Sequence, residues 1–596
     1  MRVKERVEAL QGEMKKRGVQ AYLVPTSDPH QSEYVPTCWQ RRPWISGFTG
    51  SAGDVLVTAD GAGLWTDGRY FLQAEDELRG SGIRLFRMGQ PGVPTLQAYL
   101  AKHLGKGDAL GVDPRTISIR RAKELEKSLA KHKAVLRHLD ENLVDAVWAD
   151  RPGLPLGPMQ ALPVKFTGES TAAKLKRVRK EMKERNVDAH VLSALDAVAW
   201  LFNIRGRDVI YNPVSIAYAI VTAAEAYLFV ESEKVDAGVK KALGSKVTLR
   251  PYDGFADALR RLGEDKARVW VEDSSATAWI AQTLDGADLV TEISPVTLMK
   301  SKKNDVEVEG MRSAHVRDGA AVARFLCWLD EAVRKESLTE ISAAMKLEEF
   351  RREGEHFQGL SFRTISGYGP HGAIIHYSVT PQTDVPVRPD GIYLLDSGGQ
   401  YLDGTTDITR TVLLGKKATA EQKDRFTRVL KGHIALARAR FPHGVGGGRL
   451  DVLARTALWE VGLDYNHGTG HGVGSFLNVH EGPRSIGQAR DTGLPIEPGN
   501  IFSNEPGYYK AGEYGIRIEN LVLTRENGVV GENGRPYLEF ETLTMCPIDN
   551  RLLDVKLLKP EERKWLNDYH KDVGKKLAPF MDAKERAWLK KACAPV

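Results

Sequence analysis

Apolar and polar positions alternate along this chain in a way that repeats. The opening MRVKERVEALQGEMKKRG has the pattern of a charged amphipathic helix, and an apolar strand follows it. EMKKRGVQA at 13–21 agrees with EMKERNVDA at 181–189 in six of nine positions, and each closes a helix that leads into an apolar strand. WISGFTG at 44–50 is echoed by WLFNIRG at 200–206, and Val-Thr recurs at 57 and 221 before a further strand. Matches in the same order at three places predict two tandem α/β domains of related fold. RPGLPLGPMQALP at 151–163, rich in Pro and Gly, reads as the linker between them.

The most apolar stretch, VSIAYAIVTAAEAYLFV at 214–230, is interrupted by Thr222 and Glu225. It predicts a pair of buried strands rather than a membrane span. A second boundary falls near 294–315, where Lys300 to Lys303 lead into a long helical pattern running through Trp328 and Val333. Beyond it, long helices alternate with Gly-rich hairpins, and the tail 559–592 is helical and charged. The expected organisation is α/β (α+β) in three domains, 1–155, 156–300 and 301–596.

Composition narrows the function classes. A chain of 596 residues, 42% hydrophobic and 27% charged, is a multi-domain globular protein. A net charge of +6 is a small excess over so long a chain, far from a nucleic-acid footprint. The four cysteines, Cys38, Cys327, Cys546 and Cys593, form no CxxC pair, which suits free thiols in a reducing compartment. With no apolar signal core at the start, a cytoplasmic location is expected.

The candidate chemistry lies in two hairpins. In LLDSGGQYLDGTTDITRT at 394–411, a strand pair closing at Tyr401 and Leu402 sets Asp396 opposite Asp407. In FSNEPGYYKAGEYGIRIEN at 502–520, Glu505 and Glu519 stand symmetrically about Gly512. Two unit charges 4 Å apart repel by about 4 kcal/mol at an effective dielectric near 20, so four converging carboxylates need cations between them. His471, flanked by Gly470 and Gly472 in NHGTGHGVGSFLNVHEG, offers an imidazole where bare backbone can approach a metal. One nitrogen among hard oxygens suits Mn²⁺ or Co²⁺, with Zn²⁺ as the alternative. Other signatures fail. Gly367-x-Gly369-x-x-Gly372 is followed by AIIHYS, which is strand-like and opens no helix as a dinucleotide site requires. Walker A, GxSxG and HExxH motifs are absent, and Arg484 stands where His480-Glu481 would need a second histidine.

These stretches, with GPHGAIIHY, LWTDGRYFLQA and ETLTMCPID, resemble the pita-bread metallopeptidases. The full length is similar to the three-domain, cytosolic-type Xaa-Pro aminopeptidases, in which two creatinase-like domains precede the catalytic one. The resemblance implies two divalent metals, bridged by Asp407 and Glu519, with Asp396 on one and His471 and Glu505 on the other. It implies that a water between the metals attacks as hydroxide, with Glu505 as proton acceptor. His376 and His480 line the substrate and stabilise the tetrahedral species, His467 lies near the substrate's proline, and Arg517 buffers the carboxylates. Arg69, in TDGRY, matches a substrate-contacting arginine. The resemblance implies peptide substrates beginning Xaa-Pro and a homodimeric assembly, with neither nucleic acid nor membrane expected as a partner. A prolidase shares the ligand set but usually has one N-terminal domain. Creatinase lacks the metal carboxylates, and non-catalytic binding modules of the fold have lost ligands that are intact here.

Overall fold

The computed structural model describes residues 1–488 and 492–596. It divides into two compact units, Met1–Pro163 with Glu169–Thr297, and Val164–Gly168 with Leu298–Val596.

The N-terminal unit contains two six-stranded sheets built to one plan. In the first, the central strand Ala21–Pro25 pairs antiparallel with Asp54–Thr58 on one side and parallel with Ala109–Val112 on the other. Gly61–Thr66 and Ile83–Arg87 extend one edge, and Val135–His138 extends the other. The second sheet repeats this order and these directions around Ala189–Leu192. The helix before each central strand explains why the repeat shows in the sequence. Val3–Lys16 buries Val7, Leu10 and Met14, and Thr171–Glu184 buries Leu175, Val178 and Met182 at the corresponding positions. Fully burying such a side chain is worth roughly 1.5–3 kcal/mol, so both repeats keep the same apolar stripe. The apolar run at 214–230 forms the antiparallel strands Tyr218–Thr222 and Ala226–Phe229. Its two polar interruptions make the turn, where the Glu225 amide donates to Thr222 Oγ1 at 3.0 Å.

The C-terminal unit is organised by the 31-residue helix Asp305–Lys335, whose first amides are capped by the Asn304 side chain. Three antiparallel strands, Ile365–Tyr368, Ile392–Ser397 and Ile408–Leu413, form one sheet. A six-stranded sheet includes Gly470–Gly472, Glu481–Ile486, Ile501–Asn504 and Asn520–Val530. The hairpin Gly507–Lys510 with Tyr514–Arg517 stands beside them. Helices Ala420–Ala437 and Pro560–Leu577 cover a core that includes Phe426, Leu430, Ile434, Ile516, Ile518, Leu566 and Val573.

Two local expectations need correction. In the first acidic hairpin Tyr401 pairs with Gly404, so the turn is Leu402-Asp403 and Asp396 faces Thr409 rather than Asp407. The long helix decides this. A Cβ on Gly404 would lie 3.0 Å from both Ala314 and the Met311 sulfur, and Asp403 pairs with Arg317. Because the offset is two residues, Asp407 stays on the same face as Asp396, as its diagonal neighbour. AIIHYS is not a strand: a 3₁₀ turn, Gly369–Ala373, leads into an irregular loop. The turn before it is pressed against the second hairpin, since a Cβ on Gly515 would sit 1.7 Å from the Gly372 carbonyl oxygen. The glycines beside His471 are required by strand contact as well. A Cβ on Gly470 would be 2.0 Å from the Ser503 carbonyl oxygen, and one on Gly472 would be 2.3 Å from that of Glu481.

Candidate active site

The second acidic hairpin closes symmetrically. Asn504 pairs with Asn520 and Gly507 with Arg517, which puts Glu505 and Glu519 in register between them. Gly512, with φ +76°, supplies the left-handed turn that this closure requires. The two hairpins are joined through Thr409 and Glu519. The Glu519 amide donates to the Thr409 carbonyl at 3.2 Å, and Thr409 Oγ1 donates to Glu519 Oε2 at 2.8 Å.

Asp407, His471 and Glu519 each contribute one ligand-type atom, and these atoms lie within 4.8 Å of one another. His471 Nδ1 donates to the Gly472 carbonyl at 2.9 Å, which turns the other ring nitrogen toward the acids. Its Nε2 stands 3.4 Å from Asp407 Oδ2 and 3.6 Å from Glu505 Oε1. Ser503 Oγ accepts from the His471 amide at 2.9 Å and donates to Glu505 Oε1 at 3.2 Å. Asp396 is held by Arg517, whose Nη2 donates to Oδ2 at 2.7 Å. Its other oxygen, Oδ1, is buried and has no partner.

The electrostatics follow from this crowding. Burial, and then the charge of Asp396, push the Asp407 carboxyl well above the ordinary range. Glu519 is raised by burial and then by Asp407, Asp396 and Glu505. Glu505 keeps 19% of its side chain exposed, yet loss of water is still the main cause of its upward shift. Without cations Asp407, Glu505 and Glu519 relieve this crowding by holding protons to higher pH than free carboxyls do. A naked buried oxygen, an imidazole with Nε2 turned inward and four crowded carboxylates together fit divalent cations bound by oxygen and one nitrogen.

Arg517 is the largest buried cation at the cluster. Besides Asp396 it donates to Tyr509 Oη at 2.7 Å, to Thr409 Oγ1 at 3.2 Å and to the Ile375 carbonyl at 3.2 Å. Tyr509 Oη in turn contacts His467 Nε2 at 2.9 Å. A continuous hydrogen-bonded chain therefore links His467 to Asp396. His480 lies against His471, with ring centroids 4.3 Å apart and the planes nearly perpendicular. The next residue, Glu481, is buried between the ammonium groups of Lys300, at 2.8 Å, and Lys303. His376 is half-buried in the loop after the 3₁₀ turn, one residue beyond the carbonyl that Arg517 holds. Arg69 belongs to the other unit, where Asp67 binds it through two hydrogen bonds of 2.8 and 2.7 Å.

Several contributors went unrecognised in the sequence. Thr409 could have been found, because it sits two residues from Asp407 on one strand face. Ser503 could have been found likewise, two residues before Glu505, whereas Tyr509, Lys300 and Lys303 carry no local signal, since their partners lie far away in sequence or beyond a turn.

Residues 6–142 and 150–307 each match the Creatinase/Prolidase N-terminal domain. Residues 309–526 match metallopeptidase family M24, and 536–596 match the C-terminal region of peptidase M24. A "Probable Xaa-Pro aminopeptidase P" of Laccaria bicolor is 45% identical over 603 residues, covering 99% of this chain and 93% of that one. One of the same description from Neurospora crassa is 46% identical over 609 residues, covering 99% and 89%. The crystal structure of X-prolyl aminopeptidase from Caenorhabditis elegans, described as a cytosolic enzyme with a di-nuclear active site, superposes with a TM-score of 0.96. It is 37% identical, and each chain is covered completely. Among the described residues no helix is long and apolar enough to cross a membrane.

Proposed function

From the premise that this chain belongs to the Xaa-Pro aminopeptidase P family of M24 metallopeptidases, and is a hydrolase, we propose how its residues divide the work. The substrate is a peptide with a free amino terminus and proline second, and the first residue is released. Asp396, Asp407, His471, Glu505 and Glu519 would hold two divalent cations, with Mn²⁺ favoured over Co²⁺ and Zn²⁺ by the oxygen-rich set. Bound there, the cations would offset the carboxylate repulsion, lower the pKa of a water and polarise the scissile carbonyl.

The chain's own groups supply the rest. Glu505, the most exposed of the acids and raised in pKa, takes the proton that the attacking water loses. His376 and His480 donate to the carbonyl oxygen as it gains charge. The scissile Xaa–Pro amide has no N–H, so recognition of the proline must come from shape, and His467, braced by Tyr509, forms part of that wall. Arg517 keeps Asp396 aimed. Arg69 is assigned a contact with the substrate. Three domains, 1–155, 156–300 and 301–596, a homodimeric assembly and a cytoplasmic location complete the proposal.

The observation that most supports it is the meeting of Asp407, His471 and Glu519 beside the unpartnered Oδ1 of Asp396. The test compares rates on Xaa-Pro, Xaa-Pro-Yaa and acetyl-Xaa-Pro-Yaa. The tripeptide should be cut fastest and the acetylated peptide not at all. A dipeptide cut fastest would make the enzyme a prolidase, and equal cleavage of the acetylated peptide would end the exopeptidase reading.

A further inference from the structure

Glu340 has no part in the chemistry above, yet it is fully buried at the start of the helix Glu340–Arg352. A carboxylate in the first helical turn is favoured by the helix dipole, but a buried one still needs donors. All the donors to its carboxylate come from one segment, residues 368–377. The Tyr368 amide donates to Oε1 at 2.7 Å and the Tyr377 hydroxyl to Oε2 at 2.8 Å. His371 Nδ1 lies 2.9 Å from both oxygens, and its ring is 4.4 Å from that of Tyr377. On its other side the same segment is gripped by Arg517 at Ile375 and pressed against Gly515 at Gly372. His376 lies between Ile375, held by Arg517, and Tyr377, held by Glu340, on irregular backbone that cannot hold a side chain to within a fraction of an ångström by itself.

We propose that Glu340 is a positioning residue that clamps the flanks of residues 371–377 and so sets His376 against the scissile carbonyl. The proposal rests on His376 acting there. The Glu340 carboxylate accepts from three donors, the Tyr368 amide, His371 and Tyr377, so removing it frees both flanks together. A displacement of about 1 Å at a reacting group can cost on the order of 10²-fold in rate.

The test is a double-mutant cycle on the metal-loaded enzyme, with a Xaa-Pro-Yaa tripeptide as substrate. The variants are Glu340→Ala, Glu340→Gln, His376→Ala and the two doubles, each checked for metal content and thermal unfolding. Glu340→Gln preserves shape and guards against a failure of the Ala variant to fold. Its amide can donate to the Tyr377 hydroxyl, which already lies 3.2 Å from the Thr383 carbonyl and can turn toward it. We expect kcat to fall about 10-fold in Glu340→Gln and about 10²-fold in Glu340→Ala, with KM nearly constant and metal content unchanged. In the His376→Ala background either change should cost less than about twofold more, because coupled sites are not additive. Wild-type kcat in Glu340→Gln would overturn the clamp. So would full multiplicativity with His376→Ala, which would leave the role of His376 standing. A His376→Ala enzyme of undiminished kcat would instead remove that role, and the clamp with it.

Discussion

Replacing Tyr509 by Phe removes one oxygen and leaves the ring in place. That oxygen accepts from Arg517 Nη1 at 2.7 Å and contacts His467 Nε2 at 2.9 Å, so two interactions go with it. The first is charge-assisted, and Arg517 is 1% exposed, so no water readily replaces the lost acceptor. A buried donor left without its partner costs about 1–3 kcal/mol, and more when charged. At 1.36 kcal/mol per factor of ten, this corresponds to roughly 5–150-fold if it is all felt in the transition state. Arg517 retains Asp396, Thr409 and the Ile375 carbonyl, so metal content should stay at the wild-type level. The loss should therefore fall on kcat/KM for Xaa-Pro-Yaa peptides, through a looser His467. Steady-state kinetics with metal analysis on Tyr509→Phe and His467→Ala, alone and combined, measure this. A Tyr509→Phe enzyme within twofold of wild-type kcat/KM would refute the bracing role, as would a double variant whose losses simply multiply.

Chelation should abolish activity, and Mn²⁺ should restore it best; full turnover in a preparation shown metal-free by elemental analysis would refute the five-residue site. Asp407→Asn, nearly isosteric, should fold normally and lose at least ~10³-fold in kcat, because a charge that balances the cations is gone; retention of a tenth of wild-type turnover would exclude Asp407 as a ligand. Burial holds His30 and His433 down to about 3, and His190 and His570 to about 4, in the folded chain. Their folded pKa values lie below the unfolded ~6.5, so the unfolded chain takes up protons first. The stability they confer is intact above pH 6.5 and falls by up to ~1.4 kcal/mol per histidine per pH unit toward pH 4. Urea midpoints should drop between pH 7 and 5, and an unchanged midpoint would show that these rings are protonated in the fold.

Sequence alone could determine whatever depends on near neighbours. The duplicated N-terminal plan was legible because the apolar stripes ending in Met14 and Met182 are set by helical periodicity, whatever packs on them. The register of Glu505 and Glu519 was legible because Gly512 dictates a local turn between strands of equal length. The metal-type side chains could be collected because each is expensive to bury and so announces itself by residue type. Tertiary structure decided the rest. The first hairpin slid by two residues because Gly404 must fit against Met311 and Ala314, nearly a hundred positions earlier. His471 owes its flanking glycines to the carbonyls of Ser503 and Glu481 on neighbouring strands. The unpartnered Oδ1 of Asp396, the Arg517–Tyr509–His467 chain and the clamp of Glu340 on His371 and Tyr377 arise where distant segments meet. No periodicity records such meetings, because hydrogen-bond partners in a buried network are chosen by distance in space, and only the folded chain supplies it.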